Sequence, residues 1–213
     1  MKFINLFIKS NILYHIYKLK PKDRIVYLST YYQNKSYLVI NGIVLLKQII
    51  SDKKAVTLGI IGKNHIIYSD TTNRNHDNIF EIEAITLTYI LTYNIQDLVV
   101  NKKTKNFFII KTLTSHCKNI NLYQKMTYII SHKLIKHKFL QLIFHLSLEF
   151  GIINNKSIII PINISKKQIG IIIGSSNTNI NQIIQNCRPY INININKKIH
   201  INNIINLINF YCY

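Results

Sequence analysis

The sequence predicts an α+β chain in three parts: an antiparallel β-roll, a long helix, and a C-terminal helix-turn-helix with a hairpin wing. Three observations predict it. From residue 23 to residue 100 the apolar residues come in short runs rich in Val, Ile, Thr and Tyr, broken by turn residues, as strands require. After Lys105 the apolar spacing changes to mixed threes and fours and runs for more than forty residues without Gly or Pro, which is helical periodicity. Residues 165–184, SKKQIGIIIGSSNTNINQII, carry two short helical patterns joined by a glycine.

Taken in order, residues 1–20 mix apolar and basic positions and are expected to form a short helix. The runs RIVYLSTYY, SYLVINGIVLLKQII, AVTLGIIG, HIIYS and IFEIEAITLTYIL are strands, with Asn41-Gly42 and Ser51-Asp52-Lys53-Lys54 as turns. Isolated hairpins are marginal, so these strands must close on one another, giving a β-roll over residues 1–104. Residues 105–137 form the long helix, whose stripe includes Phe108, Leu113, Cys117, Ile120, Leu122, Met126, Ile130 and Leu134. Such a stripe beside a small β unit predicts a dimer seam near Ile120, Met126 and Ile130; two core helices broken near Ser131 would fit it equally well. Residues 138–213 form the third part. A helix ends at Phe150-Gly151, and KSIIIPINIS follows as an extended piece in which Pro161, lacking an N–H, favours an edge.

The third part is the most specific. Ser165 followed three residues later by Gln168 is a capping box, which satisfies two backbone N–H groups at a helix start. Gly174 supplies a turn and Ser175-Ser176 a second cap, after which Ile180, Ile183 and Ile184 mark the inner face of a second helix that ends before Pro189. Gly170 is small where the two helices touch. Asn177, Thr178, Asn181 and Gln182 are left facing outward, and amides so placed can bond base edges while Lys166 and Lys167 hold phosphates. Residues 191–201, alternating around Asn196-Lys197-Lys198, predict the hairpin wing.

Charge points the same way. The chain carries 27 Lys and Arg against 8 Asp and Glu, a formal +19, and beyond Asp97 Glu149 is the one acidic residue. That excess calls for a polyanion, with double-stranded DNA first and RNA, as a basic RNA-binding or ribosome-associated protein, the alternative. The bias to Ile, Asn and Lys, with no Trp, matches an A/T-rich genome such as a plastid's. Cys117, Cys187 and Cys212 lack the spacing of a zinc site or a disulfide framework and are expected to be reduced, mostly buried thiols. No apolar run reaches the roughly 18 residues that span a bilayer, so no membrane is expected. Nor is an enzyme: GIIGKN lacks the spacing of a P-loop, H-E-x-x-H and G-x-S-x-G are missing, and His116-Cys117 is expected to be a buried pair.

With roll, long helix and winged helix in that order, the chain resembles the Crp/Fnr superfamily of transcription regulators, and within it the nitrogen-regulator branch of cyanobacteria and red-algal plastids. The resemblance rests on SYLVINGIVLL and AVTLGIIGKNHI in the roll, and on QLIFHLSLEFG and SKKQIGIIIGSS in the C-terminal part. It implies a cyclic-nucleotide-binding-like roll, a homodimer, a DNA partner with RNA polymerase as a further one, and a place in the plastid stroma. It also implies that Ser165, Lys166, Lys167 and Ser176 touch phosphates and that Asn177, Thr178 and Gln182 read bases. Lys197 and Lys198 in the wing are further phosphate candidates. The family usually has arginines at the positions of Asn177 and Gln182, and amides suit adenine better than guanine. In the effector loop, IIYSDTTNRNHDNIF lacks the family's glycine and has only Arg74 as a cation, while Asn119 stands on the long helix near the family's charged clamp. Binding of 2-oxoglutarate or of a cyclic nucleotide is left open by these residues, and the N-terminal cysteines of the iron–sulfur members are missing.

Overall fold

The computed structural model describes residues 2–28, 35–51, 54–68, 78–100, 105–155, 157–193 and 198–212. The chain divides into two compact units, Met1–Gln124 and Lys125–Tyr213. The first holds α1 (Lys2–Lys9), β1 (Tyr14–Leu19), β2 (Arg24–Leu28), β3 (Lys35–Asn41), β4 (Val44–Ser51), β5 (Lys54–Ile61), β6 (Ile66–Tyr68), β7 (Ile79–Ala84), β8 (Thr88–Asn94), α2 (Ile95–Val100) and most of α3 (Lys105–Ser131). Two four-stranded antiparallel sheets, ordered β1-β8-β3-β6 and β2-β7-β4-β5, make the expected roll. The N-terminal helix is shorter than its composition suggests, because Tyr14–Leu19 pairs with β8 as an edge strand instead. The run expected to stay extended to Val100 turns helical at Ile95, where the Asn94 side chain accepts the Gln96 N–H at 3.0 Å.

The run SYLVI is apolar without alternation because β3 is covered on both faces. Tyr37 and Val39 point between the sheets, where Tyr27 lies between Tyr37 and Phe80 with ring centroids 5.0 and 5.4 Å away. Leu38 points the other way, to a second core in which Phe7 of α1 meets Tyr14 and Tyr93. A strand buried on both sides reads as a continuous apolar run. At the β3–β4 turn Gly42 has φ +94°, and an added Cβ would stand 2.6 Å from the Leu87 carbonyl, so a side chain there fails on conformation and on space.

Among charged residues the sequence reading missed a buried cluster. Glu81 and Glu83, two apart on β7, share one face, where the Lys47 ammonium bonds both and Arg24 adds a second cation 3.4 Å from Glu81. Two cations against two carboxylates leave the group neutral, the usual condition for burying charge.

Helix α3 carries two stripes. Ser115, Asn119, Leu122, Met126 and Ile129 are buried, at alternating steps of four and three. Offset by two residues lies a second run, Ile110, Leu113, Cys117, Ile120, Gln124, Thr127 and Ser131, all exposed, with Ile110 at 65%, Leu113 at 58% and Ile120 at 52%. Two residues are about 200° of helix, so the stripes lie on nearly opposite faces. Met126 belongs to the buried stripe, 1% exposed, and Ile130 is half-buried, so of the three expected seam residues only Ile120 faces outward. Cys117 and His116 are exposed rather than buried, with His116 stacked on Tyr68 at 3.8 Å; Cys187 is buried, and the Cys212 side chain lies outside what the structure describes.

The second unit adds α4 (Ile135–Phe150), β9 (Ile152–Asn154), β10 (Ser157–Ile160), α5 (Lys166–Ile173), α6 (Asn177–Asn186), β11 (Ile191–Ile193), β12 (Ile199–Ile201) and α7 (Ile204–Cys212). Phe139, Leu140, Leu142, Ile143 and Leu146 of α4 are fully buried, and α4 packs on α5, α6 and β10. The hairpin β11–β12 joins β10 and β9 in a sheet ordered β11-β12-β10-β9. Pro161 follows the last residue of β10, where its missing N–H costs no ladder bond. Among the described residues no helix is long and apolar enough to cross a membrane.

Candidate nucleic-acid interface

Helix α5 starts as its sequence dictates. The Ser165 hydroxyl accepts the Gln168 backbone N–H at 3.2 Å, and the Gln168 side chain accepts the Ser165 N–H at 3.0 Å. Lys166 and Lys167 follow in the first turn, both exposed. Two ammonium groups at the positive end of a helix repel its dipole, an arrangement that an anion bound there relieves.

The turn is set by two glycines for two reasons. Gly174 is left-handed, φ +68° and ψ 45°, with nothing within 4 Å of where a Cβ would be, so conformation alone selects it. At Gly170 space decides: an added Cβ would lie 2.7 Å from the Ser175 carbonyl oxygen and 3.7 Å from Ile180. The Ser175 N–H in turn bonds the Gly170 carbonyl at 2.8 Å, which ties the turn to the first helix.

Helix α6 begins with Ser176, whose hydroxyl accepts the Asn179 N–H at 3.2 Å. Ile180 and Ile184 are buried, and Ile183 is half-buried. Asn177, Thr178, Gln182, Gln185 and Asn186 are exposed. Gln185, which the sequence reading passed over, lies one turn beyond Gln182 and two beyond Thr178 on the same face; the spacing i, i+4, i+7 was the signal for it. Asn181 is a correction: it is half-buried rather than outward, and its Oδ1 is buried without a hydrogen-bond partner among the described residues.

In the wing, Lys198 is exposed just before β12, while Lys197 lies outside the described residues. The second unit as a whole has ten lysines and arginines and one glutamate, Glu149, and that carboxylate is already paired with Lys125 at 3.0 Å. The structure thus brings Ser165, Lys166, Lys167, Ser176, Asn177, Thr178 and Gln182 together on one helix pair whose surroundings are positive.

The part of the first unit that the resemblance sets against the family's effector loop is held by its own side chains. Arg74 lies outside the described residues. Asn119, 3% exposed, is engaged: its Nδ2 donates to the Ile66 carbonyl at 2.6 Å and its Oδ1 lies 3.2 Å from His65 Nδ1. Ser115 Oγ accepts the Ile66 N–H at 2.8 Å. Both side chains of α3 therefore close on the N–H and C=O of one residue of the edge strand β6, on the side away from β3.

No family model matches the chain. In sequence it is 25% identical over 174 residues to a protein of Porphyra purpurea named as an HTH-type transcriptional regulator, ycf28, covering 80% of this chain and 70% of that one. Among solved structures it is similar to CprK in complex with OCPA, with a TM-score of 0.72 and 15% identity over 99% of this chain and 94% of that one. It is similar to the c-di-GMP-responsive global regulator CLP of Xanthomonas campestris, at 0.73 and 11% over 93% and 97%. It is similar too to a CRP/FNR-family transcriptional regulator of Thermus thermophilus, at 0.68 and 13% over 93% and 99%. The fold of this chain is that of the CRP/FNR family of transcriptional regulators.

Proposed function

We propose that the chain is a sequence-specific DNA-binding regulator of transcription that works as a homodimer. One observation carries the reading: a capped, glycine-turned helix pair presents Asn177, Thr178, Gln182 and Gln185 on a unit whose single acidic side chain is already paired. Ser165, Lys166, Lys167, Ser176, Lys197 and Lys198 hold phosphates; Asn177, Thr178 and Gln182 read bases from α6 in the major groove. The similarity to the Porphyra purpurea regulator and the A/T-coded composition support a plastid location; RNA polymerase as a further partner and nitrogen-related genes as targets are what the family resemblance implies.

The exposed stripe of α3 supplies the dimer. Its alternation of three and four is the a/d pattern of a parallel coiled coil, and it is the face left uncovered. Two copies so paired hold their α6 helices roughly 34 Å apart, one DNA turn. Because Cys117 stands on that stripe, oxidation of the native protein tests the pairing directly. A Cys117–Cys117 dimer, lost in Cys117→Ser, is expected. The roll binds 2-oxoglutarate weakly or not at all, since Asn119 and Ser115 already hold β6; micromolar binding by calorimetry overturns that point.

The function itself is tested by titrating a duplex with two half-sites one turn apart. Six to ten phosphate contacts cost on the order of 10³ to 10⁵ in affinity between 50 and 200 mM salt. A flat salt response, or tighter binding to structured RNA than to any duplex, refutes the reading. So does a protein that stays monomeric at tens of micromolar while protecting a twofold site.

A further inference from the structure

We infer that the half-sites this protein reads are specified by A·T pairs through the major groove, with Thr178, Gln182 and Gln185 as the reading stripe. The inference rests on the reading of α5 and α6 as a DNA-binding pair and goes on to name the class of sequence they take.

The ground is a charge-free interval. From Gln168 to Cys187 the chain has no Lys, Arg, His, Asp or Glu, so the turn and the whole of α6 present no charged side chain. Cations end at Lys167 and resume at Arg188, exposed beyond the last turn of the helix. Guanine is read best by Arg or Lys bonded to O6 and N7, and cytosine by a carboxylate that accepts from N4. Neither kind of group is on this face.

What the face offers instead matches adenine and thymine. A carboxamide carries a donor and an acceptor side by side, the complement of adenine N7 and N6–H₂, and the methyl of Thr178 is the complement of the thymine C5 methyl. Thr178, Gln182 and Gln185 are exposed and lie within roughly 60° of one another around the helix axis. From Thr178 to Gln185 the helix rises about 10 Å, at 1.5 Å per residue, close to three base-pair steps of 3.4 Å. The three polar side chains are then spread over four successive pairs, of which they contact three. Affinity and sequence preference are thereby divided between different residues: Lys166, Lys167 and Lys198 bind the backbone of any duplex, and the uncharged helix chooses among sequences.

The test is selection from random duplexes with the full-length protein, followed by single-atom changes in the selected site. A·T pairs are expected at the three contacted positions of each half-site. Exchanging one contacted A·T for G·C should lower affinity about 5- to 150-fold. Replacing the same adenine by 7-deazaadenine, which removes only the N7 acceptor, should also weaken binding. Gln182→Ala, at an exposed position that leaves the fold intact, should abolish the sensitivity to that replacement while the salt dependence stays as in wild type.

Selection of G·C at those positions overturns the inference and leaves the DNA-binding reading standing. Selection of A·T with no effect of 7-deazaadenine, together with displacement by a minor-groove ligand, overturns it in favour of recognition by DNA shape. Failure to bind any duplex at low salt removes the reading beneath it.

Discussion

Replacing Gly170 by alanine sets helix propensity against packing. Alanine is the better helix former by about 1 kcal/mol, so propensity alone expects a gain in stability. The structure expects a loss. The new Cβ would lie 2.7 Å from the Ser175 carbonyl oxygen, and reaching an ordinary contact near 3.4 Å moves that oxygen by about 0.7 Å. The oxygen is backbone in the turn, and the N–H of the same residue bonds the Gly170 carbonyl at 2.8 Å, so the retreat strains that bond and carries the start of α6 with it. Overpacking of this kind costs about 1–3 kcal/mol and a weakened hydrogen bond about 1 kcal/mol, which together exceed the propensity gain and leave a net loss of about 1–3 kcal/mol. Gly174→Ala is the companion. With φ +68° and open space around it, it carries only the left-handed backbone cost of about 1–2 kcal/mol and leaves α6 where it is. Urea unfolding and DNA titration of both variants separate the two: Gly170→Ala should lose affinity for the selected duplex about ten-fold beyond its loss for random DNA, and Gly174→Ala should not. A Gly170→Ala protein as stable as wild type, with unchanged sequence preference, refutes the argument.

Three further outcomes are expected. Asn119→Ala leaves the buried Ile66 carbonyl with only Ser115 Oγ at 3.5 Å, and should cost about 1–3 kcal/mol in urea unfolding of the roll; a loss below about 0.5 kcal/mol counts against the bond. Burial holds His145 below its ordinary 6.5, Lys125 adding to the effect and Glu149 opposing it. The unfolded chain therefore takes up the proton first, and stability that is full above about pH 6.5 falls as the pH drops toward the folded value. His145→Leu should flatten that slope between pH 7 and 5, and an unchanged slope places its origin elsewhere. Leu113→Asp with Ile120→Asp removes four apolar side chains from a paired seam, on the order of 6 kcal/mol at about 1.5 each, so sedimentation should show a monomer; an unaltered dimer moves the interface off this stripe.

What could be read from the sequence was what is local. The box of Ser165 and Gln168, the turn at Gly174 and the tight fit at Gly170 each depend on residues within about ten positions, and each is present as the spacing implies. The β-roll was legible as a class because its strands are short and bounded by turns. Pairing was not: Glu81 and Glu83 meet Lys47 across β4 and β7, more than thirty residues apart, and only the alternation Glu-Ile-Glu hinted at a shared face. Two stripes on one helix explain the misplaced Met126, since a mixed three-and-four spacing fits either face until the burial of Leu122 and Met126 separates them. Helix α7 was missed because Ile and Asn recur through the whole tail without a clear period. Its signal was Asn203, whose side chain accepts the Ile205 and Asn206 N–H groups at 2.9 and 3.2 Å as a cap.

The hold that Ser115 and Asn119 keep on Ile66 also fixes an angle. Because the two side chains grip the N–H and C=O of one residue, α3 cannot creep along β6 by fractions of a residue; a shift of one position would turn the helix by about 100° and strip both groups at once. Rotation of the helix against the roll is therefore a step with a barrier, not a continuous slide. With the grip closed, Ile110, Leu113, Cys117 and Ile120 are pointed away from the strand, so the two bonds to Ile66 set the azimuth of the exposed stripe.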